Sequence, residues 1–413
     1  MNLILVILLC VLPGDVKVTL LDGSARNGSL NSVTESAVNL RDGNRDTEVS
    51  LADVMSLDFP EAGENIAAEA QRVSLRGGSE FSGSGATKTA REVTLLHSAL
   101  GDLRVPAEAV QSIRMKPDDT AVRAQWETLR TRQTEKDLLV VTKRDGTGLD
   151  FLAGVISTVS SEKVEFLLDG ETVPVPLPRV YGVIFGQAMT VADKAGAAKV
   201  KLLTKSGDVL AGEKFAATGE TFEVLMSWGK AITGDIKVLQ RVDLSAGRLT
   251  YLSDLPALRE IFSGVDPEGS LLSGLASAEE QALLFGPRRD MAIQGRTRLR
   301  LRGKEYTKGF CVHSRTEIVW ALDQKYESLD AIVGIDDEVA FQDGGKHAVR
   351  LIIQGDDKVL VDRLVSGKDQ PQPLSLPLAG VSTMTVIVDY GDADSICDWL
   401  DFADARLRIS QGK

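Results

Sequence analysis

The chain is short of the residues that most enzymes and nucleic-acid binders rely on. Its 413 residues hold three histidines, three cysteines and 5% aromatics. A Ser-His-acid hydrolase needs an imidazole base held by an orienting acid, and none of the three histidines stands in such a setting. His97 ends an apolar strand and His347 sits in a polar turn. His313 neighbours Ser314 and Cys311, but these lie along a strand with no sharp elbow to present a nucleophile. The cysteines form no C-x-x-C pair and no mixed Cys/His spacing, so the sequence points to no zinc site. Basic charge is scarce too: 47 Lys and Arg against 59 Asp and Glu leave a formal charge of −12. That balance argues against a broad nucleic-acid footprint, which needs a clustered basic face, and against electrostatic docking on an anionic membrane.

Long apolar runs are also missing. The stretch from Leu3 to Leu12 is about half the ~20 residues of a spanning helix. Its length suits the h-region of a secretory signal, with Pro13-Gly14 as a breaker. No Lys or Arg precedes it and no A-x-A follows, so a buried first strand is the alternative. We read residues 1–14 as an export signal and the mature chain as secreted or periplasmic, with no membrane span after signal removal. Cys311 and Cys397 then remain, either as a disulfide or as two small buried side chains. The sequence leaves both open.

What the chain does have is repetition. Four apolar strands, starting at Val16, Val73, Leu139 and Val200, each run into a tight-turn glycine, at Gly23, Gly78, Gly146 and Gly207. A second glycine follows at Gly28, Gly83, Gly154 and Gly212, where a side chain would obstruct a bending strand. Ten residues later comes another strand, at Val38, Val93, Val164 and Phe222. Each copy closes on an apolar triplet: Leu51/Val54/Leu57, Ala107/Val110/Ile113 and Leu177/Val180/Val183, with Leu239/Val242 and a departure at Ser245 in the fourth. This pattern predicts tandem small β-barrels of SH3-like or Sm-like type at 15–60, 72–116, 138–186 and 199–252. Helices are expected at 61–71 and over the connector 118–137, where Val122, Trp126 and Leu129 form an apolar stripe that packs on a barrel. Residues 186–198 read as a linker, and 253–292 as a linker with a helix.

From 293 to 410 the period is two. Leu329/Ala331/Val333/Ile335 and Met384/Val386/Val388/Tyr390 alternate with polar residues, as half-buried strands of two packed sheets do. Three motifs punctuate them: Gly309 with His313, Val333-Gly334-Ile335-Asp336-Asp337, and Asp398-Trp399-Leu400-Asp401-Phe402-Ala403-Asp404-Ala405. Together they resemble the NPCBM family of carbohydrate-binding modules, whose members typically end Asp-His-Ala-Asp-Trp-Ala-Asp-Ala. Trp399 and Phe402 replace the usual His and Trp. The resemblance implies a jelly-roll β-sandwich that binds sugar. Upstream, 244–255 resembles the lead-in of multidomain exported proteins of planctomycete-type bacteria.

Glycoside hydrolysis would need two carboxylates flanking a cleft at about 5–10 Å, which a small sandwich does not offer. Calcium is a better use of the acids, since it takes ~6–8 oxygen ligands from irregular loops. Asp392, Asp394 and Asp398 are the candidate Ca2+ ligands, with a solvated acidic turn whose Asp side chains cap strand-end backbone groups as the alternative. The reading is therefore a non-catalytic, mainly β protein whose C-terminal module binds a glycan or cell-surface polysaccharide. His313, Arg315, Asp336, Asp337, Asp398, Trp399 and Asp401 would form a solvent-open rim, with Trp399 either stacking on sugar or anchoring the loop. The alternatives are a scaffold of the cell envelope that meets an envelope protein partner, or an accessory subunit of a separate glycosidase.

Overall fold

A computed structural model describes residues 15–59, 71–117, 119–132, 134–143, 146, 148–186, 198–262, 278–293, 295–391 and 397–410. The export signal expected at 1–14, residues 61–70 of the helix expected over 61–71 and most of the 186–198 linker lie outside the described residues, and Gln71 opens the strand Gln71–Leu75 instead. The chain is mainly β and divides into two compact units after Ala246. Among the described residues no helix is long and apolar enough to cross a membrane.

The N-terminal unit is built from four copies of one five-stranded motif. In the first, Asp15–Leu20 lies between Ala25–Val33 and Val54–Asp58, and Ala37–Asp42 and Arg45–Ser50 continue the antiparallel meander. A short 3-10 turn, Leu51–Asp53, feeds the fifth strand. The same order returns in the other copies, with turns at Ala107–Ala109, Leu177–Arg179 and Ile236–Val238. The closing triplets mark this turn and strand: Val54, Leu57, Val110, Ile113, Val180 and Val183 are wholly buried. The structure corrects the fourth triplet. It is Ile236/Leu239/Val242, because Ile236 opens the turn and Leu239 and Val242 are the fully buried pair. Ser245 lies beyond it and is no departure.

The second glycines have a common physical cause. A Cβ on Gly28, Gly83, Gly154 or Gly212 would stand 2.5–2.9 Å from a carbonyl oxygen of the third strand, on Arg41, Leu96, Leu167 or Leu225. The second strand bends hard against its neighbour there, and backbone cannot retreat as a side chain can.

Copies join edge to edge through their fifth strands, first with fourth and second with third. The second and fourth also meet at a buried carboxylate. Asp208 accepts hydrogen bonds from the Ser82 hydroxyl, the Ser82 amide (2.7 Å), Thr204 Oγ1 (3.1 Å) and His97 Nε2 (3.0 Å). His97 Nδ1 in turn accepts the amides of Ala99 and Leu100. Burial opposes ionisation of Asp208, but the bonds from His97, Ser206 and Ser82 outweigh it and hold the carboxyl well below the usual range. The connector helix is shorter than expected, Arg123–Thr131, and Trp126 packs edge-on to Tyr181 at 5.5 Å.

The C-terminal unit has two antiparallel sheets around one core. One runs Arg288–Arg289, Gly309–His313, Trp399–Ile409, Tyr326–Ile335, Gln372–Pro377; the other runs Arg259–Phe262, Thr316–Ala321, Thr383–Tyr390, Ala348–Gly355, Lys358–Ser366. Phe310 and Trp320 meet across the core at 5.4 Å. Two expected boundaries shift. Leu249–Tyr251 pairs with Trp399–Ile409 rather than closing the fourth copy, and the 253–292 stretch contributes edge strands at Arg259–Phe262 and Arg288–Arg289 as well as the helix Ala278–Phe285.

Gly154→Ala is expected to cost ~1–3 kcal/mol, from overpacking against Leu167, read by chemical denaturation. Asp208→Asn is expected to lower stability at neutral pH by about 2 kcal/mol, the scale of charge-assisted bonds lost at a buried site. Because the folded carboxyl titrates below its unfolded value of ~3.9, its contribution is complete above that pH and disappears as pH falls through the folded value. Melting curves of wild type and Asp208→Asn should therefore converge on acidification below about pH 4.

Candidate functional site

The sequence-predicted residues converge on one end of the C-terminal unit, and strand register puts them there. His313 faces Trp399, and Ile335 faces Leu400, so the turns after Gly309–His313 and Tyr326–Ile335 and the approach to Trp399–Ile409 end side by side. The Ser314 amide donates to the Asp398 carbonyl (3.1 Å), the Ser314 hydroxyl to Asp398 Oδ2 (2.7 Å), and the Asp336 amide to the Trp399 carbonyl (3.1 Å).

Most of these side chains point inward, which corrects the expectation of a solvent-open rim. His313, Asp336, Asp398, Trp399 and Asp401 are all buried. The His313 ring lies between Phe285 (5.0 Å) and Trp399 (4.9 Å), and its Nδ1 meets the Ser314 carbonyl. Trp399 is thus an anchor of the loop and not an open stacking face. Asp337 accepts the amides of Arg302 and Gly303, both at 2.7 Å, and so caps a hairpin turn whose two residues have positive φ, 49° and 82°. Asp398 holds the 313–316 turn. Arg315 remains outside, its side chain 62% exposed and 3.7 Å from Asp389. Asp392 and Asp394 lie outside the described residues.

Two features escaped the sequence reading. Phe341 is 64% exposed, with the Arg302 guanidinium 4.6 Å over its ring. Next to it, Gln342 Oε1 accepts from the Cys397 thiol at 3.2 Å. An aromatic within the turn that follows Asp336-Asp337-Glu338 was the available signal. The second feature is beneath the surface. Cys311, Asp336 and Asp401 bring a thiol and two carboxylates within 4.8 Å of one another. Burial pushes the Asp401 carboxyl well up, and the neighbouring Asp336 adds to it; burial raises Asp336 also. Burial likewise pushes up the Cys311 thiol. Cys311 and Cys397 form no disulfide.

These observations define a mainly β protein with a two-sheet, sandwich-like C-terminal module whose loops gather at one end. Residues 269–408 match the NPCBM/NEW2 domain model. No curated protein matches the chain. Among solved structures, the CBM51 module of a Clostridium perfringens GH95 protein in complex with methyl-galactose is 23% identical, with 38% of this chain and 99% of that one covered and a TM-score of 0.31. CBM51-2 with GlcNAc and INT domains from Clostridium perfringens ZmpB is 23% identical over 51% of this chain and 40% of that one, with a TM-score of 0.32. The tandem CBM51 modules of a family 98 glycoside hydrolase from Streptococcus pneumoniae are 9% identical over 96% and 88%, with a TM-score of 0.31.

Asp398→Ala should destabilise the C-terminal unit by ~1–3 kcal/mol, because it leaves the buried Ser314 hydroxyl without its acceptor. Arg315→Ala should change stability by less than about 0.5 kcal/mol, as exposed sites do. Thermal unfolding of the two variants side by side measures the contrast.

Proposed function

We propose that the C-terminal unit binds carbohydrate, without catalysis, at the end that carries Arg315, Phe341 and Gln342. The observation that carries this reading is the coincidence of the NPCBM/NEW2 match over 269–408 with a loop-built end that exposes an aromatic ring. Sugar recognition needs an apolar ring face and a few groups that match hydroxyl pairs. Phe341 supplies the face, and the Arg315 and Gln342 side chains supply donors and an acceptor. The buried Asp398, Trp399 and His313 then act as the support that fixes the loops. Asp336, Asp398 and Asp401 are wholly buried, which is unsuited to an acid–base pair that must reach a glycosidic bond.

The same reading takes the chain as exported, and the four five-stranded copies as SH3-like or Sm-like barrels that serve as a spacer or interaction array. Their strand order, with the fifth strand beside the first and a 3-10 turn before it, supports that assignment, as the two-sheet arrangement supports a jelly-roll type for the module. Calcium at Asp392 and Asp394, with Asp398 contributing, belongs to this proposal. Burial of His313 and Trp399 favours one rival, a scaffold of the cell envelope that binds no sugar. An accessory role beside a separate glycosidase is compatible with the sugar-binding reading.

A glycan array probed with the whole chain, in calcium and in chelator, decides between them. Retention is expected with Kd in the micromolar to millimolar range, where 1 mM corresponds to about −4 kcal/mol. Phe341→Ala should weaken it about tenfold, or ~1.4 kcal/mol. If no sugar is retained under either condition, the scaffold reading stands and this one falls.

A further inference from the structure

We propose that Cys311, Asp336 and Asp401 form a buried divalent-metal site of zinc type, within the C-terminal unit and independent of sugar binding. Two strands of one sheet and the turn that follows a third build it. Asp401 lies on the central strand, directly opposite Cys311 on one side and Gly334 on the other. Asp336 follows Gly334 by two residues, so its side chain turns to the same face. The three ligand atoms lie within 4.8 Å of one another and all three residues are 0% exposed.

The cluster has a charge problem that its surroundings do not solve. Asp336 Oδ1 accepts the Glu338 amide at 2.8 Å, but Asp336 Oδ2 and both Asp401 oxygens are buried with no hydrogen-bond donor in bonding geometry. Among the described residues no Lys, Arg or His forms an ion pair with either carboxylate. What faces these oxygens is another acid, the Cys311 thiol and the Arg300 backbone amide, which favour the charged form only weakly against burial and the neighbouring acids. Buried carboxylates left this way are strongly disfavoured, so a proton or a cation must sit among them.

The thiol points to a cation. A proton shared by two carboxyls has no need of sulfur, whereas zinc combines cysteine sulfur with aspartate oxygen in one four-coordinate shell. Calcium and magnesium take oxygen alone, which the Cys311 sulfur does not fit. Zinc would bind Cys311 as thiolate and displace its proton to solvent. Ligand separations around tetrahedral zinc are about 3.5 Å, so closure from the observed spacing takes side-chain rotations of about an ångström. Sequence spacing could not reveal the site, because its ligands come from positions 25 and 65 residues apart, on two strands and the turn after a third.

The test is elemental analysis of the whole chain, prepared without a chelating column, with cobalt replacement as a second measurement. About one zinc per chain is expected, with a lower melting temperature in chelator that added zinc restores. Cobalt should give a sulfur-to-metal charge-transfer band in the near ultraviolet, absent in Cys311→Ala, while Asp401→Asn should lose most of the metal. Should either variant fail to fold, the cobalt spectrum of the wild-type chain decides. No bound metal, no effect of zinc or chelator on melting and no charge-transfer band would overturn the proposal and leave a proton in the cluster.

Discussion

Every buried carboxylate in this protein needs positive charge or donors brought to it, and the chain meets that need in contrasting ways. Asp208 lies among hydroxyls, an amide and an imidazole from two different repeat copies, and they hold it ionised. Asp337 and Asp398 hold turns by accepting backbone amides or a hydroxyl. Asp401 has neither arrangement and is pushed the other way. A carboxylate surrounded by donors fixes geometry, because each donor must come to it; one without donors calls for a proton or an ion. The difference between a brace and a site is visible in which oxygens are already occupied.

The N-terminal unit shows the same economy in its backbone. A five-stranded motif of ~50 residues buries too little surface to be secure alone. The copies therefore share edges through their fifth strands, which also removes the exposed hydrogen-bonding edges that invite aggregation. Asp208 adds a polar tie between the second and fourth copies, whose fifth strands are not paired with each other. Such a tie contributes orientation more than energy, since its donors must be correctly placed to be satisfied at all.

Much of this was legible in the sequence because sheet structure writes itself locally. The bend glycines and closing triplets reflect contacts that recur in every copy, so they stand out when the sequence is compared with itself. In the fourth copy the letters mislead, because Leu239 and Val242 hold the second and third places of the triplet and the 3-10 turn at Ile236 supplies the first. In the C-terminal module the alternation at Leu329–Ile335 and Met384–Tyr390 gave the strands. The direction of side chains at strand ends was not legible. Whether Trp399 stacks outward or packs inward depends on where Phe285 and His313 lie, and those are distant in sequence. Cys311 drew attention for its neighbours His313 and Ser314, whereas its structural partners are across the sheet.

A loop-built binding surface must be rigid to recognise a ligand cheaply, since ordering loops on binding subtracts from affinity. Here rigidity comes from beneath. Trp399 and His313 pack together under the 313–316 turn, Asp398 ties that turn to the approach of the last long strand, and Asp337 ties the 302–303 hairpin to the turn that precedes Phe341. The family-like motifs in this chain therefore describe the foundation of the end and not its face. The exposed groups, Arg315, Phe341 and Gln342, lie between or beside the motifs. On the proposed carbohydrate-binding reading, a change of ligand would need new residues at those exposed positions, with the buried acids and rings beneath left as they are.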